Sequence, residues 1–289
     1  MTTVTETTTP GIPLSEVRGP AAFGGEPRRF LQLLWLISKT ELRTRYQGAA
    51  FGMAWSVAEP LLIFGVMYAV FSSVPRFGGT EPHYPPMLLM NIMLYRAIFA
   101  GSTGRATQAV VAREGLVRKT QFPRIIIPLS VVLTSMLLFG ADIIVLGVFL
   151  LLNGVQPMWT WLLFPVIILA FLIITIGMSL LLSSLYVRHR DTAPVWAVIS
   201  LMFFYGSPVI FPVNAVPSSL RGALFFMNPF VPILEQARIW VINPNAPPIT
   251  DVVHGPVHGL LIPALVYVGL CVFGAWYFIK RAPRVAEEI

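Results

Sequence analysis

The chain has 289 residues, of which 56% are hydrophobic and 11% are charged, and its formal net charge is +7. Soluble domains carry about 25% charged residues, so a compact soluble fold is excluded because it could not bury this much apolar surface. The basic residues lie in short segments between apolar runs, which indicates membrane topology and contact with anionic headgroups rather than a nucleic-acid partner.

The N-terminal segment, residues 1–27, is rich in Thr, Gly and Pro and contains no apolar core of a signal peptide. A segment of this composition cannot bury enough apolar surface to fold alone. We therefore expect a disordered cytoplasmic tail.

Residues 28–46 are too short and too charged to span a bilayer. Leu31, Leu34 and Trp35 can share one helix face, and basic residues flank them at headgroup level. This pattern predicts an amphipathic helix in the cytoplasmic interface, either as an anchor alone or with an additional partner contact.

Six apolar runs follow, and a span needs about 20 apolar residues. The runs lie near residues 53–73, 86–104, 125–152, 159–185, 195–212 and 257–279. Arg96 interrupts the second run, and the fifth is short and ends in prolines. The pattern predicts six transmembrane helices.

The distribution of Lys and Arg predicts the orientation of these helices. The segments on one side of the six spans carry sixteen basic residues, against three on the other side. Basic loops stay in the cytoplasm. An even number of spans then puts both termini in the cytoplasm.

The segment between the last two spans, residues 213–256, is rich in proline yet strongly apolar. A solvated loop would be polar, whereas short broken helices dipping into the outer leaflet would be apolar, provided that protein shields their free backbone groups. We expect an outer re-entrant region here. The predicted fold class is therefore an all-α polytopic membrane protein with six transmembrane helices, an N-terminal interfacial helix and short broken helices between spans five and six.

Three ionisable residues fall at membrane depth, namely Glu59, Arg96 and Asp142. Charges inside spans are costly and are usually paired or functional. At about 1.5 Å per residue, Arg96 and Asp142 both lie roughly 15 Å below the outer boundary. We expect these two residues to face each other or to share a water-filled pore wall, with a structural role favoured over a transport role.

The sequence contains no pattern typical of an enzyme site. Paired catalytic carboxylates, a metal-ligand cluster and a nucleophile with a nearby base are not found. The phosphate-binding motif GxxxxGK[ST] is also missing, since none of the three lysines follows a glycine. We expect no cofactor or metal on this chain, and if the protein is a pump, another polypeptide must hydrolyse ATP.

Four local patterns occur in order along the chain. Residues 43–62, RTRYQGAAFGMAWSVAEPLL, place a basic residue with Tyr, then Gly, Trp, and Glu before Pro. Residues 115–130 carry Phe-Pro-Arg ahead of the third span, residues 202–217 form an aromatic-rich span end followed by prolines, and residues 228–230 read NPF. Together they resemble the ABC-type permeases of the Wzm kind, which export O-antigen, capsule, teichoic acid and cell-wall galactan. The resemblance covers about residues 28–285, the expected permease domain, although members usually carry an uncharged residue in place of Arg96.

The resemblance implies a half-transporter in the cytoplasmic membrane. Two copies of the chain would form a homodimeric pore, and two copies of a separate ABC ATPase, holding ATP and Mg²⁺, would dock on the cytoplasmic face. The cargo would be a polyprenyl-diphosphate-linked polysaccharide moved outward, and the Thr-rich tail is similar to actinobacterial members that export lipid-linked galactan. Arg96 attracting the diphosphate is the alternative to a pair with Asp142.

The resemblance also assigns roles to particular residues. A gate role falls to the interfacial helix, through Trp35, Arg43, Arg45 and Tyr46. The ATPase contact falls to a short cytoplasmic coupling helix in residues 112–124, through Glu114, Leu116, Arg118, Lys119, Phe122 and Arg124. Independently of the resemblance, the charges at membrane depth make Glu59, Arg96 and Asp142 the expected polar residues of the pore.

Two other functions are compatible with parts of the pattern. The first is the permease of an ABC drug or lipid exporter, which would use the same machine with another cargo; the interfacial helix favours polysaccharide. The second, less favoured, is a membrane glycosyltransferase, which would need a polar catalytic loop.

Overall fold

The structure is a computed structural model that describes residues 27–48, 51–73, 83–119, 122–246, 249 and 261–281. Within these residues every regular element is a helix, so the predicted all-α class is confirmed. The predicted disordered tail lies outside the described residues, apart from Pro27, which begins the first helix.

The helices follow one another with short connections. They are α1 (Pro27–Tyr46), α2 (Ala54–Phe71), α3 (Tyr84–Ile92), a π-helical segment (Met93–Ala100), α4 (Gly101–Ala112), α5 (Glu114–Lys119), α6 (Ile126–Leu152), a 3₁₀ turn (Trp159–Leu163), α7 (Phe164–Arg188), α8 (Thr192–Tyr205), a 3₁₀ turn (Val213–Ala215), α9 (Ser218–Met227), α10 (Phe230–Val241) and α11 (Ile262–Arg281).

Four of the described helices are long and apolar enough to cross a membrane. They are α2, α6, α7 with the turn before it, and α11, and they coincide with the first, third, fourth and sixth predicted spans. Helix α8 coincides with the fifth predicted span but has only 14 residues, fewer than the roughly 20 that a bilayer requires. Its shortness follows from Gly206 and Pro208, which end the helix.

The second predicted span lies inside a longer helical rod. The helix continues without a break from residue 84 to residue 112, through the π-helical segment, and Leu88, Leu89 and Met90 are fully buried. The rod packs on α6, α7 and α8. Because protein rather than lipid surrounds it, this helix can carry polar residues that a lipid-facing span would exclude.

Helices α7 and α11 cross at Gly177 and Gly274, where their backbones are in contact. A Cβ on Gly274 would lie 2.8 Å from the carbonyl carbon of Gly177 and closer still to its oxygen, and a Cβ on Gly177 would lie 2.8 Å from Cys271 Cα. Small residues permit this close approach of two backbones, which is how membrane helices gain packing contacts without a hydrophobic driving force.

Helix α1 lies against the first turns of α6. Ser38 is fully buried there, its Oγ donates to the Ser130 carbonyl oxygen at 3.2 Å, and Thr134 Oγ1 donates to the Ser38 carbonyl oxygen at 3.2 Å. The apolar face predicted for α1 does not pack on α6 as a whole, since Leu31 and Trp35 are 61% and 51% exposed. The contact with α6 is made by a small polar residue because the backbones of the two helices approach closely.

The start of α1 and the end of α11 lie together at one end of the helix bundle. Phe30, near the start of α1, packs with Phe278, near the end of α11, and with Ile125 ahead of α6. Arginine or lysine ends α7 and α11. The first and last helices thus share the end of the bundle at which α6 begins.

Two short helices, α9 and α10, occupy the region predicted to be re-entrant. Asn228 joins them: its Oδ1 accepts from Phe230 N at 3.0 Å, and its Nδ2 donates to Ser207 Oγ at 2.7 Å. On the far side of α10, Trp161 Nε1 donates to the Val241 carbonyl oxygen at 2.9 Å. Phe230 is 1% exposed, so α10 is an integral part of the bundle rather than a solvated loop.

Candidate functional site

The charged residues within α2, the rod of residues 84–112 and α6 meet at one cavity. This cavity, of about 290 Å³, lies between α2, the π-helical segment, α4, α6 and α8. Its wall includes all three ionisable residues predicted at membrane depth, which are Glu59, Arg96 and Asp142. Arg96 and Asp142 therefore share a cavity wall, one of the two arrangements expected from the sequence.

The ion pair in this wall joins Arg96 to Glu59. Arg96 Nη2 lies 2.9 Å from Glu59 Oε1, and the two side chains are 36% and 51% exposed. The alternative expectation, a direct pair between Arg96 and Asp142, is wrong. Helix α2 places the Glu59 carboxylate within hydrogen-bonding distance of Arg96. A half-buried guanidinium pairs with the carboxylate that offers the better geometry.

Arg96 belongs to the π-helical segment. The backbone N–H of Gly101 donates to the Arg96 carbonyl oxygen, five residues earlier, which makes a turn wider than that of an α-helix. Glycine is required at this point, because a Cβ on Gly101 would lie 2.9 Å from that oxygen and 3.2 Å from Arg105 Nη1. Wide turns of this kind occur frequently at functional sites, and here the segment presents Tyr95 and Arg96 to the cavity.

Asp142 is the most deeply buried charged residue of the cavity. It is 1% exposed, it lines the cavity, and its Oδ1 has no hydrogen-bond partner among the described residues. No group of three or more His, Cys, Asp or Glu side chains in the described ranges is placed to hold a metal. A buried carboxylate oxygen without a partner is costly, so Asp142 is a site at which a ligand with a hydrogen-bond donor would be stabilised.

Two further arginines line the cavity. Arg105, which follows the predicted second span by one residue, lies within α4, where its Nη2 donates to Ser135 Oγ at 2.6 Å. Arg45, predicted as a residue of the gate helix, reaches the same cavity from the end of α1. The sequence feature that could have placed Arg105 in a helix is the lack of proline between residues 87 and 112. Without a helix-breaking residue, the second span continues as a helix beyond its apolar run.

Aromatic residues form the other side of the cavity. Tyr95 donates its hydroxyl to the Ser200 carbonyl oxygen at 2.7 Å, and Trp196 Nε1 donates to Thr103 Oγ1 at 3.0 Å. Behind them, the rings of Phe99 and Phe230 lie 4.4 Å apart. These hydrogen bonds and ring contacts fix the aromatic wall and join the cavity to helix α10.

The predicted coupling segment contains a helix shorter than expected. Helix α5, Glu114–Lys119, follows α4 directly, and Arg113 beside it binds Glu41 of α1, with Nη2 and Oε2 2.5 Å apart. Leu116 is 39% exposed, Phe122 packs on the cluster around Ala106, and Arg124 is half-buried. The side chains of Arg118 and Lys119 lie outside the described parts of the chain.

The predicted gate residues lie on two different faces of α1. Trp35 and Arg43 are exposed, whereas Arg45 and Tyr46 are half-buried. The Arg45 guanidinium carbon lies 5.3 Å from the centre of the Tyr46 ring. Of the described residues of α1, only Arg45 in the last turn lines the cavity. Trp35 is exposed and does not line it.

Comparison with known proteins assigns the chain to a family. The family described as ABC-2 type transporter matches residues 32–241. The chain is 30% identical to the O-antigen export system permease protein RfbA of Klebsiella pneumoniae over 73% of this chain and 80% of that one. It is 28% identical to the permease of the same name from Myxococcus xanthus, over 71% and 78% of the two chains.

A more distant similarity connects the chain to the polysialic acid transport protein KpsM of Escherichia coli, at 22% identity over 68% of this chain and 76% of that one. The matched region of the family contains every described residue of the cavity wall. With its apolar membrane helices and a family match over more than half of its length, the chain belongs to the ABC-2 type transporter family.

Proposed function

We propose that this chain is the permease subunit of an ATP-driven exporter that moves a polysaccharide outward across the cytoplasmic membrane. The cargo is a glycan of the O-antigen or galactan type on a polyprenyl diphosphate. The observation that carries the proposal is the similarity to O-antigen export permeases over about three quarters of the chain. The polar cavity supports it, since a pathway for sugars through apolar helices requires hydrogen-bonding groups on its wall.

The proposed arrangement in the membrane has six spans and both termini in the cytoplasm. Helix α8 and the rod of residues 84–112 supply the two spans beyond the four long apolar helices. Neighbouring helices of the same chain bury the rod, whereas α8 exposes an apolar face that only a second copy of the chain would cover. Irregular backbone at the end of a short span is tolerated in a membrane where protein shields it. The shared position of α1 and α11 at one end of the bundle supports this topology.

The proposed assembly is a homodimer with two ABC ATPase subunits. Helix α2 exposes a row of apolar side chains, including Leu62 and Val66, beside the cavity, and α8 exposes Val198 and Met202. A second copy packed on these two helices would enclose the open side of the cavity. Symmetric pairing is the commonest form of oligomer. Helix α5 and the residues after it supply the contact with the ATPase, which binds ATP and Mg²⁺.

Depletion of the protein in its own cells tests the proposal. Surface polysaccharide is expected to fall, while the lipid-linked glycan accumulates on the cytoplasmic side, where an added glycosidase reaches it only after the membrane is opened. The intact gene restores export, and a gene encoding the chain with α5 deleted does not. Normal surface polysaccharide after depletion, or loss of glycan synthesis rather than of export, would contradict the proposal.

A further inference from the structure

The cavity around Asp142 contains hydrogen-bonding groups that the protein itself does not use. Asp142 Oδ1 has no partner among the described residues although the residue is 1% exposed. Two donor atoms, Arg105 Nε and Arg45 Nη1, are also buried without a partner, although their residues are only half-buried. Groups left unpaired in a buried place are costly, and a ligand that pairs with them relieves this cost.

The unpaired groups comprise both an acceptor and donors. A carboxylate oxygen accepts only, and a guanidinium N–H donates only. A hydroxyl group does both, so a ligand with several neighbouring hydroxyls can donate to Asp142 and accept from an arginine at the same time. Aromatic side chains, among them Trp196 and Tyr95, form the opposite wall, and aromatic walls suit the apolar faces of sugar rings.

We propose that this cavity is a binding subsite for one sugar ring of the cargo. One hydroxyl donates to Asp142 Oδ1, and a neighbouring oxygen accepts from Arg105 Nε or Arg45 Nη1. The volume of about 290 Å³ lies near the lower end of the range for small-molecule pockets, which fits a single ring rather than a long oligosaccharide. The inference rests on the proposed function for the identity of the cargo but not for the existence of the subsite.

A phosphate group fits this cavity less well than a sugar does. The Arg96 guanidinium is already paired with Glu59 at 2.9 Å, and a phosphate, whose ionised oxygens only accept hydrogen bonds, would leave Asp142 Oδ1 without a donor. The unused acceptor, rather than the number of arginines, therefore decides the class of ligand.

The test uses the purified full chain in lipid nanodiscs and saturation-transfer NMR. The probe is methyl β-D-galactopyranoside, and its permethylated analogue, which has no hydroxyl donor, is the matched control. The free galactoside is expected to give a signal that falls about tenfold for Asp142→Leu and for the permethylated analogue, the effect of removing a hydrogen bond to a charged group. Ile144→Leu, on the exposed side of α6, should leave the signal unchanged.

A second measurement covers the case in which Asp142→Leu fails to fold. Ala197 lines the cavity, and Ala197→Cys in a Cys271→Ala background offers a thiol there. The galactoside should slow the reaction of this thiol with a small methanethiosulfonate reagent, and the permethylated analogue should not.

Three results would overturn the proposal. They are an equal signal from the permethylated analogue, an unchanged signal in a folded Asp142→Leu protein, and protection of the Ala197→Cys thiol by inorganic diphosphate but not by the galactoside. Galactoside binding by a chain whose depletion leaves surface polysaccharide intact would refute the proposed function and leave the subsite standing. Export of the glycan by a chain that does not bind the galactoside would refute the subsite and leave the proposed function standing.

Discussion

Replacement of Gly274 by alanine is expected to destabilise the crossing of α7 and α11. The new Cβ would lie 2.8 Å from the Gly177 carbonyl carbon and nearer still to its oxygen. Neither partner is a flexible side chain, so the two backbones must separate. Overpacking of this kind costs about 1–3 kcal/mol, and the upper part of that range applies because backbone meets backbone along both helices.

The matched control is Gly269→Ala on the same helix, where a Cβ meets nothing within 4 Å. Alanine is favoured over glycine in a helix by up to about 1 kcal/mol, so this variant should be as stable as the parent or slightly more stable. Thermal unfolding in detergent can be followed with a thiol-reactive dye, because Cys271 is the single cysteine of the chain and lies half-buried at the crossing. Gly274→Ala is expected to lower the melting temperature by several degrees relative to Gly269→Ala.

Equal melting temperatures for the two variants would refute the reasoning. That result would mean that α7 and α11 do not approach through Gly177 and Gly274. A lower melting temperature for Gly269→Ala than for Gly274→Ala would show that the crossing lies at another point of α11.

Three further predictions concern other parts of the molecule. Gly101→Ala should lower the melting temperature, because a Cβ would lie 2.9 Å from a backbone oxygen of the π-helical segment, whereas Gly104→Ala, at an open position, should not; equal effects would contradict this. In a cysteine-free background, a thiol reagent added from outside should label Leu220→Cys, at a side chain 57% exposed, much faster than the buried Phe230→Cys, and uniform labelling would contradict an integral α10. Leu116→Cys is expected to crosslink to the ATPase subunit, and the contact is wrong if no crosslink forms in either nucleotide state.

Hydropathy predicts well the helices that face lipid. Helices α2, α6, α7 and α11 lie where the apolar runs are longest, because lipid selects for long uninterrupted runs. The rod of residues 84–112 extends eight residues beyond its predicted end. Neighbouring helices bury most of this helix, so its polar C-terminal part carries no hydropathy signal, and the sequence does not place Arg105 in the cavity wall.

Contacts between distant helices could not be derived from one sequence. The helical rise predicts a common depth for Arg96 and Asp142, and the structure brings both to one cavity. The partner of Arg96 depends on which helix lies beside the π-helical segment, and periodicity along a chain contains no information on that choice. The Gly177–Gly274 crossing is undetectable for the same reason.

The proposed cargo of this permease is a lipid-linked polysaccharide. The most direct measurement is transport in proteoliposomes that contain the chain together with its ABC ATPase and the radiolabelled lipid-linked glycan. The glycan is expected to cross the bilayer only with ATP and only when both proteins are present. Transport of a lipid without sugar at the same rate, with no movement of the glycan, would contradict it and favour a lipid exporter.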